Sequence, residues 1–308
     1  MPLVDTPECR EALSHFFPGI EFESNLRPSG QRLVYFCHFT GDTDVPNQRL
    51  WPRWGNVVLK VAEDVHPAVI ARLEKECELL NALDSPYFPR LLYSDVFSTD
   101  PVTEEKLRNR LFITIEERID GAPLSDCRKR FADERSCRSL LSHLCEGLQL
   151  LWNHPQRIVH RDLKPDNVLI RPDGSPVIID LGIVREEGST GLTASQLNIG
   201  PCTPAYASPE QLRNEKRLIT FKADFFALGV MTYELLSGRN PFVESVYDPM
   251  ELVVSRVLTY EPPSLADLGN ATPEFSALIV RLLAKQPYKR PRTIADLMRS
   301  LAAIAGKS

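Results

Sequence analysis

The spacing of apolar residues divides the chain into a strand-rich first part and a helical remainder. Before residue 120, short runs rich in β-branched and aromatic residues predict strands at 33–39, 57–62, 88–96 and 111–115. Leu73, Cys77 and Leu80 recur at helical spacing and predict one helix over 67–83. Beyond residue 121 the pattern predicts helices at 136–154, 223–237, 274–285 and 293–305.

This change of pattern predicts an α+β fold with a small β-rich lobe, which carries one main helix, and a larger, mainly helical lobe. The predicted organisation is an N-terminal extension over 1–19, a first lobe over 20–117 and a second lobe over 118–308. The two lobes form a single domain over 20–305.

Composition and charge narrow the class of protein. The 308 residues are 43% hydrophobic and 25% charged, which is ordinary for a globular protein and excludes a disordered, collagen-like or coiled-coil chain. A net charge of −5 gives no reason to expect nucleic acid or an anionic membrane as a partner. The longest stretch without Asp, Glu, Lys or Arg, 188–209, is rich in Gly, Ser, Thr, Asn and Pro, so we expect no membrane span. Seven scattered cysteines without a CxxC pair predict free thiols and a cytoplasmic location.

The strongest chemical signal is the run HRDLKPDN at 160–167, followed by Asp180 eighteen residues after Asp162. Transfer of a phosphoryl group requires positioning and neutralisation of negative charge more than covalent help. Asp180 and Asn167 offer hard oxygen ligands for Mg²⁺. Asp162 can orient an attacking hydroxyl, and Lys164 can supply a fixed positive charge.

This run resembles the catalytic loop of protein kinases, most of all bacterial Ser/Thr kinases of the eukaryotic type. Further motifs follow in the order of that family. VVLK at 57–60 resembles the VAIK strand, SPE at 208–210 the APE motif, and the segment 224–229 the helix that anchors the catalytic loop through Asp224. Arg290 matches the arginine that pairs with the glutamate of APE, here Glu210. The resemblance therefore implies the bilobal protein-kinase fold.

The resemblance also implies ATP and Mg²⁺, or alternatively Mn²⁺, as cofactors and protein Ser/Thr hydroxyls as substrates. Lys60 would contact the ATP phosphates and pair with Glu76, sixteen residues later. The expected adenine-site residues are Val34, Val58, Leu169 and, in a hinge over 117–121, Glu117.

The position before the hinge, which borders the adenine site, is either Glu116 or Ile115. A buried, unpaired glutamate would be costly, which favours Ile115.

Several residues of the resemblance concern substrate type and regulation. Lys164 matches the pattern of Ser/Thr kinases, and so does Thr203, which lies in a GTPxY-like motif. Alternatively, Thr203 is a plain turn residue before Pro204. In kinases with an arginine before the catalytic aspartate, here Arg161, that arginine meets a phosphate on the activation segment. Thr193 and then Ser195 are the candidate autophosphorylation sites, and the alternative is a serine-rich loop without a regulatory role.

The glycine-rich loop departs from the family pattern. Arg27, Ser29 and Arg32 fall at the three glycine positions. Either arginine could bind phosphate, or both could be surface residues. The departure keeps two alternatives open, namely a pseudokinase scaffold that binds partners and a kinase that acts on a small molecule.

Overall fold

The computed structural model describes Asp5 and residues 7–26, 32–39, 54–63, 67–181, 185–186 and 203–306. The chain divides into two compact units, Met1–Ile119 and Asp120–Ser308. Thr193 and Ser195 lie outside the described residues, as do Arg27 and Ser29. No helix in the described ranges is both long enough and apolar enough to cross a membrane.

The first unit is built on one antiparallel sheet with the strand order β1-β2-β3-β5-β4. Its elements, in chain order, are α1 (Pro7–Phe16), β1 (Ile20–Leu26), β2 (Leu33–Phe39), β3 (Asn56–Glu63), α2 (Pro67–Ala82), β4 (Leu91–Thr99) and β5 (Lys106–Glu117). The prediction of a strand over 88–96 is wrong at its start, because the backbone N–H of Phe88 donates to Ser85 O within a turn.

The two faces of this sheet carry different residues. Leu59 of β3 and Ile115 of β5 are register partners and belong to one fully buried apolar cluster. The same cluster includes Leu13 and Phe17, which come from α1 and the turn after it. The opposite face carries Lys60, because side chains alternate along a strand. The residues predicted to be an extension therefore supply part of the core of the first unit.

The second unit is mainly helical, as the sequence predicts. Its helices are α3 (Leu124–Cys127), α4 (Glu134–Trp152), α5 (Pro209–Leu212), α6 (Phe221–Ser237), α7 (Met250–Thr259), α8 (Pro273–Leu282) and α9 (Ile294–Ala305). Its short strands are β6 (Ala122–Pro123), β7 (Ile158–Val159), β8 (Val168–Ile170), β9 (Pro176–Ile178) and β10 (Arg185–Glu186). Helix α6 is buried almost throughout and ends at Gly238, whose φ of 77° suits glycine.

An ion pair inside the second unit joins two of the predicted motif residues. Arg290 Nη1 and Nη2 donate to Glu210 Oε1 and Oε2 at 2.6 and 2.9 Å. Both side chains are at most 1% exposed. The same guanidinium also donates to the carbonyl oxygens of Lys222 and Ala284 at 2.7 and 2.9 Å. The pairing predicted for Glu210 and Arg290 is present. Arg290 thus joins α5, through Glu210, and the start of α6, through Lys222, to the segment before α9.

The buried ammonium of Lys285 is expected to make the stability of the second unit depend on pH. Its ammonium lies 4.3 Å from the ring centre of Phe242, and burial lowers its pKa to about 8, against its ordinary value of 10.5. Glu261 opposes this shift and Arg290 adds to it. Between pH 8 and 10.5 the unfolded chain therefore binds more protons than the folded one, so stability rises with pH in that window.

Lys285→Met removes this titration. We expect it to raise the melting temperature most below pH 8, with a gain that shrinks as the pH rises towards 10. Thermal unfolding across this range measures the difference, and the exposed Lys289→Met serves as the matched control. A gain for Lys285→Met that does not change with pH would contradict the assignment of the shift to this ammonium.

Candidate active site

The segment 160–167 leads into the hairpin formed by β8 and β9. Val168 pairs with Ile178, and the backbone N–H of Ile179 donates to Asn167 O at 2.9 Å. Asn167 immediately precedes β8, and Asp180 follows β9 by two residues. The hairpin therefore brings the two predicted metal ligands to the same end, although they are thirteen residues apart in the chain.

The Asp162 carboxylate is held by donors on both oxygens. Oδ1 accepts from the backbone N–H of Thr203 at 2.9 Å and from its hydroxyl at 2.8 Å. Oδ2 accepts from Lys164 Nζ at 2.9 Å, and Lys164 also donates to the Thr203 hydroxyl at 2.9 Å. Thr203 thus contacts Asp162 across 41 residues of chain. Asp162, Lys164 and Thr203 form one connected polar group.

Asn167 fits the role of a metal ligand. Its side-chain Nδ2 donates to the backbone oxygen of Asp162 at 2.8 Å and approaches Asp162 Oδ2 at 3.3 Å. This leaves Oδ1 of the amide without a donor among the described residues, and an amide oxygen is a suitable ligand for Mg²⁺. Asp180 has a φ of 64°, an uncommon conformation for a residue other than glycine, as is often found at functional sites.

Within the described part of the chain, no three His, Cys, Asp or Glu side chains gather closely enough to hold a metal by themselves. The predicted metal ligands are only two, the carboxylate of Asp180 and the amide of Asn167. A metal bound here would therefore complete its coordination with ligand oxygens or water.

Asp224 anchors the catalytic loop to α6. Its buried carboxylate accepts from the Trp152 indole at 2.8 Å and from the backbone N–H groups of His160 and Arg161 at 3.0 and 2.9 Å. Burial raises the pKa of the Asp224 carboxyl. Arg161 has a φ of 71°, so two donors to one carboxylate hold a backbone turn that is unfavourable by itself. The anchoring role implied for Asp224 therefore has a direct geometric basis.

In the first unit, the predicted pairing of Lys60 with Glu76 is wrong. Lys60 Nζ lies 2.7 Å from Glu116 Oε1 and donates to Oε2 at 2.8 Å. Glu76 instead receives two hydrogen bonds from the Arg32 guanidinium, each of 3.2 Å. The strand register explains the choice, because β3 pairs with β5 so that Val58 is opposite Glu116 and Lys60 opposite Thr114. Lys60 and Glu116 are therefore diagonal neighbours on one face.

This register also corrects the preference for Ile115 over Glu116. Ile115 is fully buried on the opposite face of the sheet, in the apolar cluster with Leu59. Glu116 is 4% exposed, but it is paired with Lys60. A buried glutamate is costly when no cation lies near it, and here the strand register brings Lys60 beside Glu116.

The remaining predicted residues occupy varied positions. Val34 on β2 is the register partner of Lys60. Val58 lies two residues before Lys60 on β3, so the side chains of all three residues are on the same face of the sheet. Glu117 ends β5 and accepts from Arg90 Nε at 3.2 Å. Leu169 belongs to the second unit, where it pairs with Val177 between β8 and β9.

Comparison with known proteins decides the family. A family model described as the protein kinase domain matches residues 56–301, which is most of the chain. The chain belongs to the protein kinase family. Its sheet with α2 and its helical second unit are the bilobal protein-kinase fold, as the sequence motifs imply.

Bacterial relatives are named as Ser/Thr kinases. The chain is 28% identical to serine/threonine-protein kinase PknB of Mycolicibacterium smegmatis over 77% of this chain and 36% of the relative. It is 32% identical to serine/threonine-protein kinase Pkn1 of Myxococcus xanthus over 79% of this chain and 33% of the relative. For the probable serine/threonine-protein kinase SCO3848 of Streptomyces coelicolor the identity is 33%, over 60% and 27%. The matches thus span only about a third of the length of these relatives.

Sequence reasoning missed the partners of the two charged residues in the first unit. The sequence predicts Arg32 as a phosphate ligand or a surface residue, and Glu116 as a possible neighbour of the adenine site. A usable signal was present in the run LFITIEE at 111–117, where an acidic residue directly follows the apolar part of a central strand. Such a charge requires a buried partner.

Proposed function

We propose that the protein is a Ser/Thr protein kinase, which transfers the γ-phosphoryl group of ATP to hydroxyl groups of protein substrates. The observation that carries the proposal is the connected group of Asp162, Lys164 and Thr203. A carboxylate held by donors on both of its oxygens has a fixed orientation, as phosphoryl transfer requires. The names of the bacterial relatives support the same activity.

Each residue of the candidate site has a separate role in phosphoryl transfer. Asp162 accepts a hydrogen bond from the substrate hydroxyl and directs its oxygen towards the γ-phosphorus. It takes up the hydroxyl proton as the new P–O bond forms, while the bond from phosphorus to the bridging oxygen of ATP breaks and ADP leaves. Lys164 balances negative charge on the transferred group. Asn167 and Asp180 hold Mg²⁺, and Lys60 holds the nucleotide phosphates. When bound, ATP supplies the phosphoryl group and Mg²⁺ neutralises its charge.

One observation favours a second candidate, a pseudokinase scaffold. Lys60 is engaged by Glu116 and not by Glu76, so the ion pair expected of an active member is replaced in this structure. A scaffold would bind partners without phosphotransfer. The intact set of Lys60, Asp162, Asn167 and Asp180 favours the enzyme.

Incubation of the chain with γ-labelled ATP and Mg²⁺, with a generic basic protein as acceptor, separates the two candidates. We expect label on serine and threonine of the acceptor, located by mass spectrometry, and none with Asp162→Asn. Absence of transfer together with binding of ATP would support the scaffold. Label on tyrosine alone would overturn the Ser/Thr assignment.

The proposal also includes a cytoplasmic location and the absence of nucleic-acid and membrane partners.

We further expect the chain to phosphorylate its own activation segment between Asp180 and Glu210. Thr193 is the first candidate and Ser195 the second. A phosphate adds about −1.5 to −2 charges and can pair with the guanidinium of Arg161. Arg161 is anchored for this purpose, because its N–H donates to Asp224 and its carbonyl accepts from Gln211 Nε2 at 2.8 Å.

Mass spectrometry after incubation with ATP tests this expectation. Alanine at positions 189, 190, 193 and 195 together should lower activity towards an added substrate. Undiminished activity of the quadruple variant would show that the segment does not control the enzyme.

A further inference from the structure

The first unit contains two buried ion pairs whose partners are exchanged relative to the family pattern. The Lys60 and Glu116 side chains are 10% and 5% exposed, and the Arg32 and Glu76 side chains are 10% and 4% exposed. Each pair contains one cation and one anion. The four charges therefore balance, and each buried charge has a partner.

We infer that Glu116 positions Lys60 for the nucleotide phosphates, whereas Arg32 takes over Glu76 and secures α2 to the sheet. The inference rests on the proposed function, since Lys60 has a phosphate to contact only in an ATP-binding protein. It makes Glu116 a positioning residue, because it would act through Lys60.

The location of Glu116 explains why it can serve this purpose. Lys60 and Glu116 lie on β3 and β5, which are neighbouring central strands joined by ladder hydrogen bonds over seven register pairs from Val57 to Glu63. The separation of the Cα atoms of Lys60 and Glu116 is thus fixed by the sheet itself. Glu76, in contrast, lies on α2, and a lysine paired with it depends on where that helix sits. Here the position of Lys60 does not depend on α2.

Arg32 completes the arrangement. It immediately precedes β2 and reaches Glu76 with two nitrogen atoms, one to each carboxylate oxygen. Such bidentate contacts of an arginine with a carboxylate are directional and stronger than hydrogen bonds between neutral groups. The arginine at the third glycine position therefore has a structural partner, which answers the sequence question of what a side chain could do there.

The competing view is that the exchange is temporary and that Lys60 moves to Glu76 when nucleotide binds. The two views differ in which glutamate matters for phosphotransfer. Glu116→Gln and Glu76→Gln are a matched pair, because each removes one negative charge and keeps the shape of the side chain. Glu63→Gln on β3 is the control, since Glu63 is exposed and accepts from Asn109 Nδ2.

Steady-state kinetics and calorimetry with a non-hydrolysable ATP analogue and with adenosine measure the effects. We expect Glu116→Gln to weaken binding of the analogue about tenfold or more and adenosine much less, because the lysine contacts phosphate and not base. It should raise the KM for ATP more than Glu76→Gln does, and Glu116→Asp should recover part of the loss. A larger effect of Glu76→Gln, or equal effects, would overturn the inference.

A second measurement does not need kinase activity. Double-mutant cycles on the melting temperature compare Lys60→Met with Glu116→Gln and Arg32→Met with Glu76→Gln. We expect both pairs to be non-additive and the crossed pair, Lys60→Met with Glu76→Gln, to be additive. Coupling in the crossed pair would overturn the inference. If both expected couplings are present but the wild type transfers no phosphate, the pairing stands and the proposed function fails.

Discussion

Replacing Asp162 by asparagine is expected to lower phosphotransfer by about 10²–10⁴-fold while the fold stays intact. The amide keeps the size of the side chain but cannot take up a proton, and its NH₂ group would meet donors. On one side these are the N–H and hydroxyl of Thr203, and on the other Lys164 Nζ. The variant therefore loses both the acceptor and part of the connected polar group.

Nucleotide binding provides the distinguishing measurement. Asp162→Asn should bind Mg²⁺ and the ATP analogue nearly as wild type does, whereas Asp180→Asn should bind them more weakly, because Asp180 is a proposed metal ligand. Asp166→Asn is the matched control, since this exposed carboxylate lies in the same loop and accepts from Ser125 Oγ at 2.8 Å. Wild-type activity of Asp162→Asn would contradict its role.

Arg290→Met is expected to destabilise the second unit by about 3–5 kcal/mol. The substitution leaves the Glu210 carboxylate buried without a counter-charge. It also removes the donors to the carbonyl oxygens of Lys222 and Ala284. Three parts of the chain, namely α5, the start of α6 and the segment after α8, lose their common partner. Denaturant unfolding followed by tryptophan fluorescence and circular dichroism measures the loss.

Two further variants make this result interpretable. Arg299→Met removes a surface pair with Asp296, where the arginine side chain is 76% exposed, and should change stability by at most about 1 kcal/mol. The double variant Arg290→Met with Glu210→Leu should recover part of the loss, because no unpaired charge is then buried. Equal stability of Arg290→Met and Arg299→Met would contradict the importance of the buried pair.

The sequence was sufficient for elements whose cause is local. The apolar spacing predicts helix α6 within two residues of its start and at its observed last residue. The prediction of an extension over 1–19 leaves out helix α1, although Leu13, Phe16 and Phe17 recur at a helical spacing and are buried in the core of the first unit. The boundaries of β4 were wrong because Phe88 is buried in a turn and not in a strand.

In the candidate site, too, contacts within one short motif follow from the sequence, whereas contacts between separate strands do not. The residues around Asp162 belong to one short motif, so their proximity follows from the sequence, and the resemblance supplied Thr203. The partner of Lys60 depends instead on which residue of β5 lies beside β3, and a shift of one position would have moved Glu116 to the other face. No spacing within either strand contains that information.

The position of α1 has a practical consequence for recombinant work. The part of the chain that matches the protein kinase family begins at residue 56, after α1, β1 and β2. A fragment trimmed to the matched part would expose the apolar face with Leu59 and Ile115, and β3 would become an unprotected edge strand. Such a fragment would be prone to aggregate through that edge. Soluble material should therefore retain residues 5–39, although they lie outside the region that the family model covers.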